Sequence, residues 1–92
     1  MNKKKVTKQI VATDIGMENF YACYKIQYDD KSTVIKGTKS FGNSLSGINE
    51  FYTWCKKRNK APEVEPIFVM EATGVYYEEL AYFLHHKKEK VS

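Results

Sequence analysis

No stretch of these 92 residues stays apolar long enough to cross a membrane as a helix, which takes about 18. The opening Met1-Asn2-Lys3-Lys4-Lys5 is basic but lacks the apolar segment that a secretory signal needs, so a cytoplasmic location is expected. Cysteine is scarce: Cys23 and Cys55 match no metal-binding spacing, and both are expected as free thiols, one on a strand and one on a helix face. His85 and His86 are adjacent, and neighbouring helical side chains point about 100° apart, which argues against chelation of one ion by the pair. There are no internal repeats. The two prolines, Pro62 and Pro66, fall together in one short segment and so mark a single break in the second half.

What is present describes one small folded domain. The chain is 42% hydrophobic, 28% charged and 14% aromatic, which places it among folded proteins rather than disordered ones. At this size it buries about 60–65% of its unfolded surface, so a modest stability is expected. The net charge of +4 suits a polyanionic partner or a lysine-rich solvated surface equally well.

The most informative stretch is Ile67-Phe68-Val69-Met70-Glu71-Ala72-Thr73-Gly74-Val75-Tyr76-Tyr77. Four apolar residues after Pro66 predict a short strand buried on both faces, ending at a carboxylate. Three small residues and a helix follow. Ligands of open α/β sheets bind beyond the carboxyl ends of the strands, where Glu71 would stand. Ile10-Val11-Ala12-Thr13-Asp14-Ile15-Gly16 repeats the pattern, so two strands each deliver one acid.

In chain order, residues 1–8 form a basic, flexible tail and residues 9–92 a single domain. A first strand is expected over 9–15. Phe20, Ala22, Tyr24, Ile26 and Tyr28 alternate with polar positions, as in a half-buried antiparallel strand. Asp29-Asp30-Lys31-Ser32 makes a hairpin turn into a third strand over 33–41, where Gly37 signals a bulge or an edge. The segment 41–44 offers capping side chains for a helix over 45–60 with the face Ile48, Phe51, Tyr52 and Cys55. Lys56, Lys57, Arg58 and Lys60 at its end suit the helix dipole, which is preferred here to a nucleic-acid patch. A last helix is expected over 74–88, with Tyr76, Leu80, Phe83 and Leu84 inward. Val91 looks like the start of another strand, and the chain is expected to be the first part of a longer protein.

The order β-β-β-α-β-α describes an α/β fold with a mixed sheet, three antiparallel strands and then a parallel fourth, as at the start of a ribonuclease H-like domain. Strand one is then central with strand four beside it. Strands lie about 4.8 Å apart, so the two carboxylates reach one divalent ion.

The residues Ala12-Thr13-Asp14-Ile15-Gly16, Phe41-Gly42-Asn43 with Gly47, Trp54, and Val69-Met70-Glu71-Ala72-Thr73-Gly74-Val75-Tyr76-Tyr77 with Leu80, Ala81, Tyr82, Phe83, Leu84 and His85 carry a resemblance. The chain resembles the amino-terminal, RuvC-like catalytic part of the DEDD-type insertion-sequence transposases, the IS-one-ten group. Asp-apolar-Gly alone is a weak signal; the Met-Glu-Ala-Thr-Gly-Val-Tyr run with Leu-Ala-Tyr-Phe-Leu is specific. The resemblance implies a four-acid site for magnesium, with manganese as a substitute, in which Asp14 matches the first acid and Glu71 the second. The other two acids, both aspartates, and a domain bearing a serine would lie beyond Ser92. It implies DNA of element ends and target as partners, a guide RNA in some members, a homo-oligomer, and a fragment inactive alone.

The chemistry is intelligible in itself. Magnesium takes hard oxygen ligands, usually one or two carboxylates with water and substrate phosphate. Two such ions about 4 Å apart assist phosphodiester displacement. Thr73 and Gly74 fit close approach of a nucleic-acid backbone at a helix start, or simply a cap and a turn. Tyr76 is a candidate for base stacking, though its spacing also suits packing. The alternatives are an ATP-binding half-domain of the actin-like or sugar-kinase type, disfavoured by Met17-Glu18-Asn19 after Gly16, and a non-enzymatic dimerisation module. The last would use the free edge of the fourth strand.

Overall fold

A computed structural model describes residues 4–59, 61–72 and 76–91. The elements run β1 (Val6–Ile15), β2 (Asn19–Tyr28), β3 (Thr33–Gly42), α1 (Leu45–Arg58), β4 (Ile67–Ala72), α2 (Glu78–His86) and β5 (Lys90–Val91). They form an α/β domain with one mixed sheet in the order β3-β2-β1-β4-β5. The first three strands are antiparallel, and β4 joins the central β1 in parallel.

The alternation in β1 and β2 decides which way the sheet faces. Gln9, Val11, Thr13 and Ile15 are buried, as are Phe20, Ala22, Tyr24 and Ile26. Both sets point to the layer that holds α1 and α2. Phe20, Phe41, Phe51, Trp54 and Phe68 interlock there, with ring centroids 5.1–6.3 Å apart in mostly edge-on contacts.

The start of α1 is fixed by two devices. Ser44 caps it by accepting a hydrogen bond from the Gly47 amide at 3.3 Å. Gly47 then passes so close to Gly42 that a Cβ there would overlap the Gly42 backbone, so helix and strand end meet with no side chain between them.

Four expectations need correction. β1 begins at Val6, because the Lys5 carbonyl accepts from the Asp29 amide and Lys4 pairs with Asp30 at 3.2 Å; residues 6–8 therefore belong to the strand, not to a flexible tail. β4 is buried on one face only: Phe68 is covered, whereas Ile67, Val69 and Met70 are half-exposed. α1 stops at Arg58 rather than near 60. α2 is shorter than 74–88 at both ends, and Tyr76 lies outside it and exposed rather than inward. The Tyr76 carbonyl accepts from the Asn43 side chain at 3.0 Å, and the Ala81 amide bonds to Tyr77 instead. At the other end Lys88 has a φ of 61°. Its amide bonds to His85 and the next amide, Glu89, to Leu84, a left-handed helix stop made without glycine.

Three features agree with the sequence reading. Ladder pairing shifts between Tyr24 and Lys25, which puts a bulge at Lys36 beside Gly37 on the edge strand β3. Leu80 and Leu84 are the buried pair of α2. Lys90 and Val91 do form a strand, pairing with Ile67 and Phe68, so the edge of β4 is shielded along its first two residues.

Candidate functional site

β1 and β4 run side by side in register, and the register pairs Asp14 with Glu71. Side chains at paired positions of parallel strands point to the same face. Since Thr13 and Ile15 point into the helix layer, Asp14 and Glu71 point away from it. Both are exposed, and both line one cavity of about 180 Å³ with Ala12, Tyr21, Cys23 and Val69. The expected geometry of two acids at one rim of the sheet is therefore present.

The donor set suits a hard divalent cation in part. Two carboxylates meet the minimum that magnesium takes from protein. Among the described residues no group of three His, Cys, Asp or Glu side chains gathers to hold a metal. The Thr13 hydroxyl is already committed, donating to the Val69 carbonyl at 3.2 Å, which ties the two acid-bearing strands together. The remaining ligand positions are open to water and phosphate oxygens.

Asn43 is the residue that sequence reasoning missed. The segment 41–44 is expected to offer the α1 cap, and Ser44 supplies it. The Asn43 side-chain NH2 instead donates to the carbonyls of Gly16 and Tyr76, each at 3.0 Å, and its backbone amide donates to Glu18 at 2.8 Å. One side chain thus braces the turn two residues after Asp14 and the turn five residues after Glu71. Among the described residues no partner reaches its buried Oδ1. The only sequence signal was a short amide at a strand end, which is shared by ordinary caps and turns.

Of the other expected site residues, Thr73 and Gly74 lie outside the described residues. Tyr76 is 40% exposed in a cleft with Met17, Glu78, Glu79 and Tyr82. It is not brought to the acid cavity, and two carboxylates flank it. The thiols differ sharply. Cys23 lines the acid cavity, whereas Cys55 is buried on the inner face of α1, where burial and the nearby Glu89 carboxylate push its pKa up to about 12.

A second polar cluster lies on the covered face. Gln9 is fully buried, and its side-chain NH2 reaches Asn59 Oδ1 and the carbonyls of Ala61 and Val64. Its Oε1 accepts from the Tyr24 hydroxyl at 2.8 Å. This pins the loop between α1 and β4 onto the middle of β1 and sets where β4 enters the sheet.

Compared with protein-family models and with curated proteins, the chain matches none. The arrangement of Asp14 and Glu71 must therefore carry the functional reading.

Proposed function

We propose that this chain is the first part of a ribonuclease H-like, RuvC-like catalytic domain of a DEDD-type insertion-sequence transposase, and that it supplies two of four acidic metal ligands. The observation that supports this best is the in-register pair Asp14–Glu71 on the uncovered sheet face, at the carboxyl ends of two adjacent parallel strands. The order β3-β2-β1-β4-β5 with a parallel β1–β4 pair is what such a domain requires of its first half.

In this reading Asp14, on the central strand, and Glu71, paired with it on β4, would hold a divalent cation between them. A magnesium ion held there would supply Lewis-acid stabilisation of a phosphodiester's developing charge. Asn43 holds the two turns beyond the acids at a fixed separation, so that the carboxylates do not reorganise when substrate arrives. Thr73 and Gly74 give the nucleic-acid backbone close access, and the Tyr76 ring is available to a base. The substrates are DNA of the element ends and the target, handled in the cytoplasm by a homo-oligomer, with a guide RNA in some members of the group. The ATP-binding alternative gains nothing here: residues 16–19 form a tight turn, closed by the Gly16 amide on the Asn19 carbonyl at 2.9 Å, and present no hydroxyl to a phosphate.

Manganese titration followed by paramagnetic broadening of amide signals tests the reading. Broadening is expected at residues 13–16 and 69–72, and it should vanish in Glu71→Gln. Broadening elsewhere, or unchanged in that variant, would remove the chemistry from the proposal. The chain alone should not cleave DNA with magnesium or manganese, and turnover abolished by Glu71→Ala would contradict its role as an incomplete site.

A further inference from the structure

The basic residues at the end of α1 do more than face the helix dipole. Between α1 and the edge strand β3 runs a groove of about 690 Å³, on the opposite side of the sheet from Asp14 and Glu71. Lys39 rises from β3 on one wall, opposite Ala22 of the covered face, and Lys57 and Arg58 close the far end. Ser46 and Thr53 supply neutral donors along the helix wall, and Glu50 is the one acid in the lining.

The seat of Arg58 is built rather than incidental. Its guanidinium lies over the Trp54 ring, 4.3 Å from the centroid, and Nη1 reaches the Trp54 carbonyl at 3.4 Å. Beneath it is Gly37 at the β3 bulge, where a Cβ would come within 2.5 Å of Arg58 Nε. The bulge and the missing side chain make the room that the guanidinium fills. Among the described residues Arg58 Nε is nevertheless buried without a hydrogen-bond partner. Among the described residues the ion pairs are Lys4–Asp30, Lys56–Glu89 and Lys90–Glu65, so Lys39, Lys57 and Arg58 have no carboxylate of their own.

We infer that this groove binds the phosphate backbone of duplex DNA, independently of the acid pair. Three cations without an ion-pair partner, against the single carboxylate of Glu50 in the described lining, make a net-positive track for a polyanion, and a stacked arginine is pre-set for planar, bidentate contact with phosphate. A single strand is the poorer occupant, because it needs exposed rings on which bases stack. Trp54, the one ring in the lining, is 7% exposed and capped by the guanidinium. The preference for DNA over RNA rests on the function proposed above; the preference for duplex phosphate does not.

The test is fluorescence anisotropy of the chain with a labelled 20-base-pair DNA duplex, with duplex RNA and single-stranded DNA as further arms, over a range of salt. Lys39→Gln/Lys57→Gln should weaken duplex DNA binding roughly tenfold at low salt and reduce the log–log salt slope by about 2. Arg58→Lys keeps the charge but not the planar fork, and should weaken binding by a smaller factor; circular dichroism checks that it folds. A charge-matched control, Lys4→Gln/Lys90→Gln, should bind like the parent. Loss in Glu71→Gln with the groove variants unaffected would move the DNA to the acid face and overturn the inference while leaving the catalytic reading intact. An equal fall in the control, a stronger grip on single strands or duplex RNA, or no duplex binding at low salt would overturn it outright.

Discussion

The two faces of the sheet are made from the same strands and serve opposite ends. On the covered face Gln9, Val11, Thr13 and Ile15 meet α1, α2 and a set of interlocked rings, and even the polar Gln9 is fully buried with its hydrogen bonds made. One residue along, Ile10 and Ala12 are only half-buried, Asp14 is exposed, and Val69 and Glu71 beside them have no helix above. The pleat thus separates the packed core from the exposed carboxylates at single-residue resolution. A one-residue slip of register would carry Asp14 into the aromatic core and Gln9 into solvent. The acids are held in place by residues pointing the other way.

The difference breaks most visibly where the covered face depends on bare backbone. Gly47→Ala puts a Cβ into the Gly42 carbonyl region, which is backbone and cannot step aside. The start of α1 must then lift from β3, with a loss of about 3 kcal/mol or more. Urea unfolding should show it as a lower midpoint. An unchanged midpoint would mean that the Gly42–Gly47 approach is not what docks the helix.

A smaller loss is expected from the buried polar cluster. Tyr24→Phe leaves Gln9 Oε1 unpartnered in the core and should cost about 1–3 kcal/mol. The same region gives a pH test. Burial raises the Tyr24 hydroxyl from 10.0 to about 12 and the Cys55 thiol from 9.0 to about 12. Both folded-state values lie above the unfolded ones, so their contribution is complete below pH 9 and is lost as pH climbs through 9 towards 12. Stability should therefore fall over that window, and the fall should be shallower in the double variant Tyr24→Phe/Cys55→Ala. An equal slope would place the alkaline sensitivity elsewhere.

The covered face was the legible one. Phe20, Ala22, Tyr24 and Ile26 announce their orientation because each is answered by a more polar neighbour, and the stripe of Ile48, Phe51 and Cys55 does the same for α1. Ile67-Phe68-Val69-Met70 gives no such contrast, since a short apolar run looks alike whether one face is covered or both. The core role of Gln9 was hidden because it depends on carbonyls 52 and 55 residues away. Asn43 was hidden for the same reason, reaching Gly16 and Tyr76 across the rim. The pairing of Asp14 with Glu71 could be expected because it needs only strand order and direction. The fine setting of the turns beyond them could not, because it is made by a third segment.

The finest discrimination between the faces comes from the acids themselves. Asp14 and Glu71 occupy paired positions on neighbouring strands, both exposed, and among the described residues no ion pair reaches either. Like charges directly across a strand pair oppose folding by a few tenths of a kcal/mol up to about 1 kcal/mol. Asp14→Asn or Glu71→Gln should therefore raise stability slightly, lifting Tm by about 1–8 °C in the absence of divalent metal. Adding manganese should stabilise the parent and not the variants, since a cation that binds the folded chain shifts its unfolding by mass action. A clear destabilisation by either substitution without metal would show that the carboxylate holds the sheet together. The separation of packing on one face from chemistry on the other would then fail at the residue where it matters most.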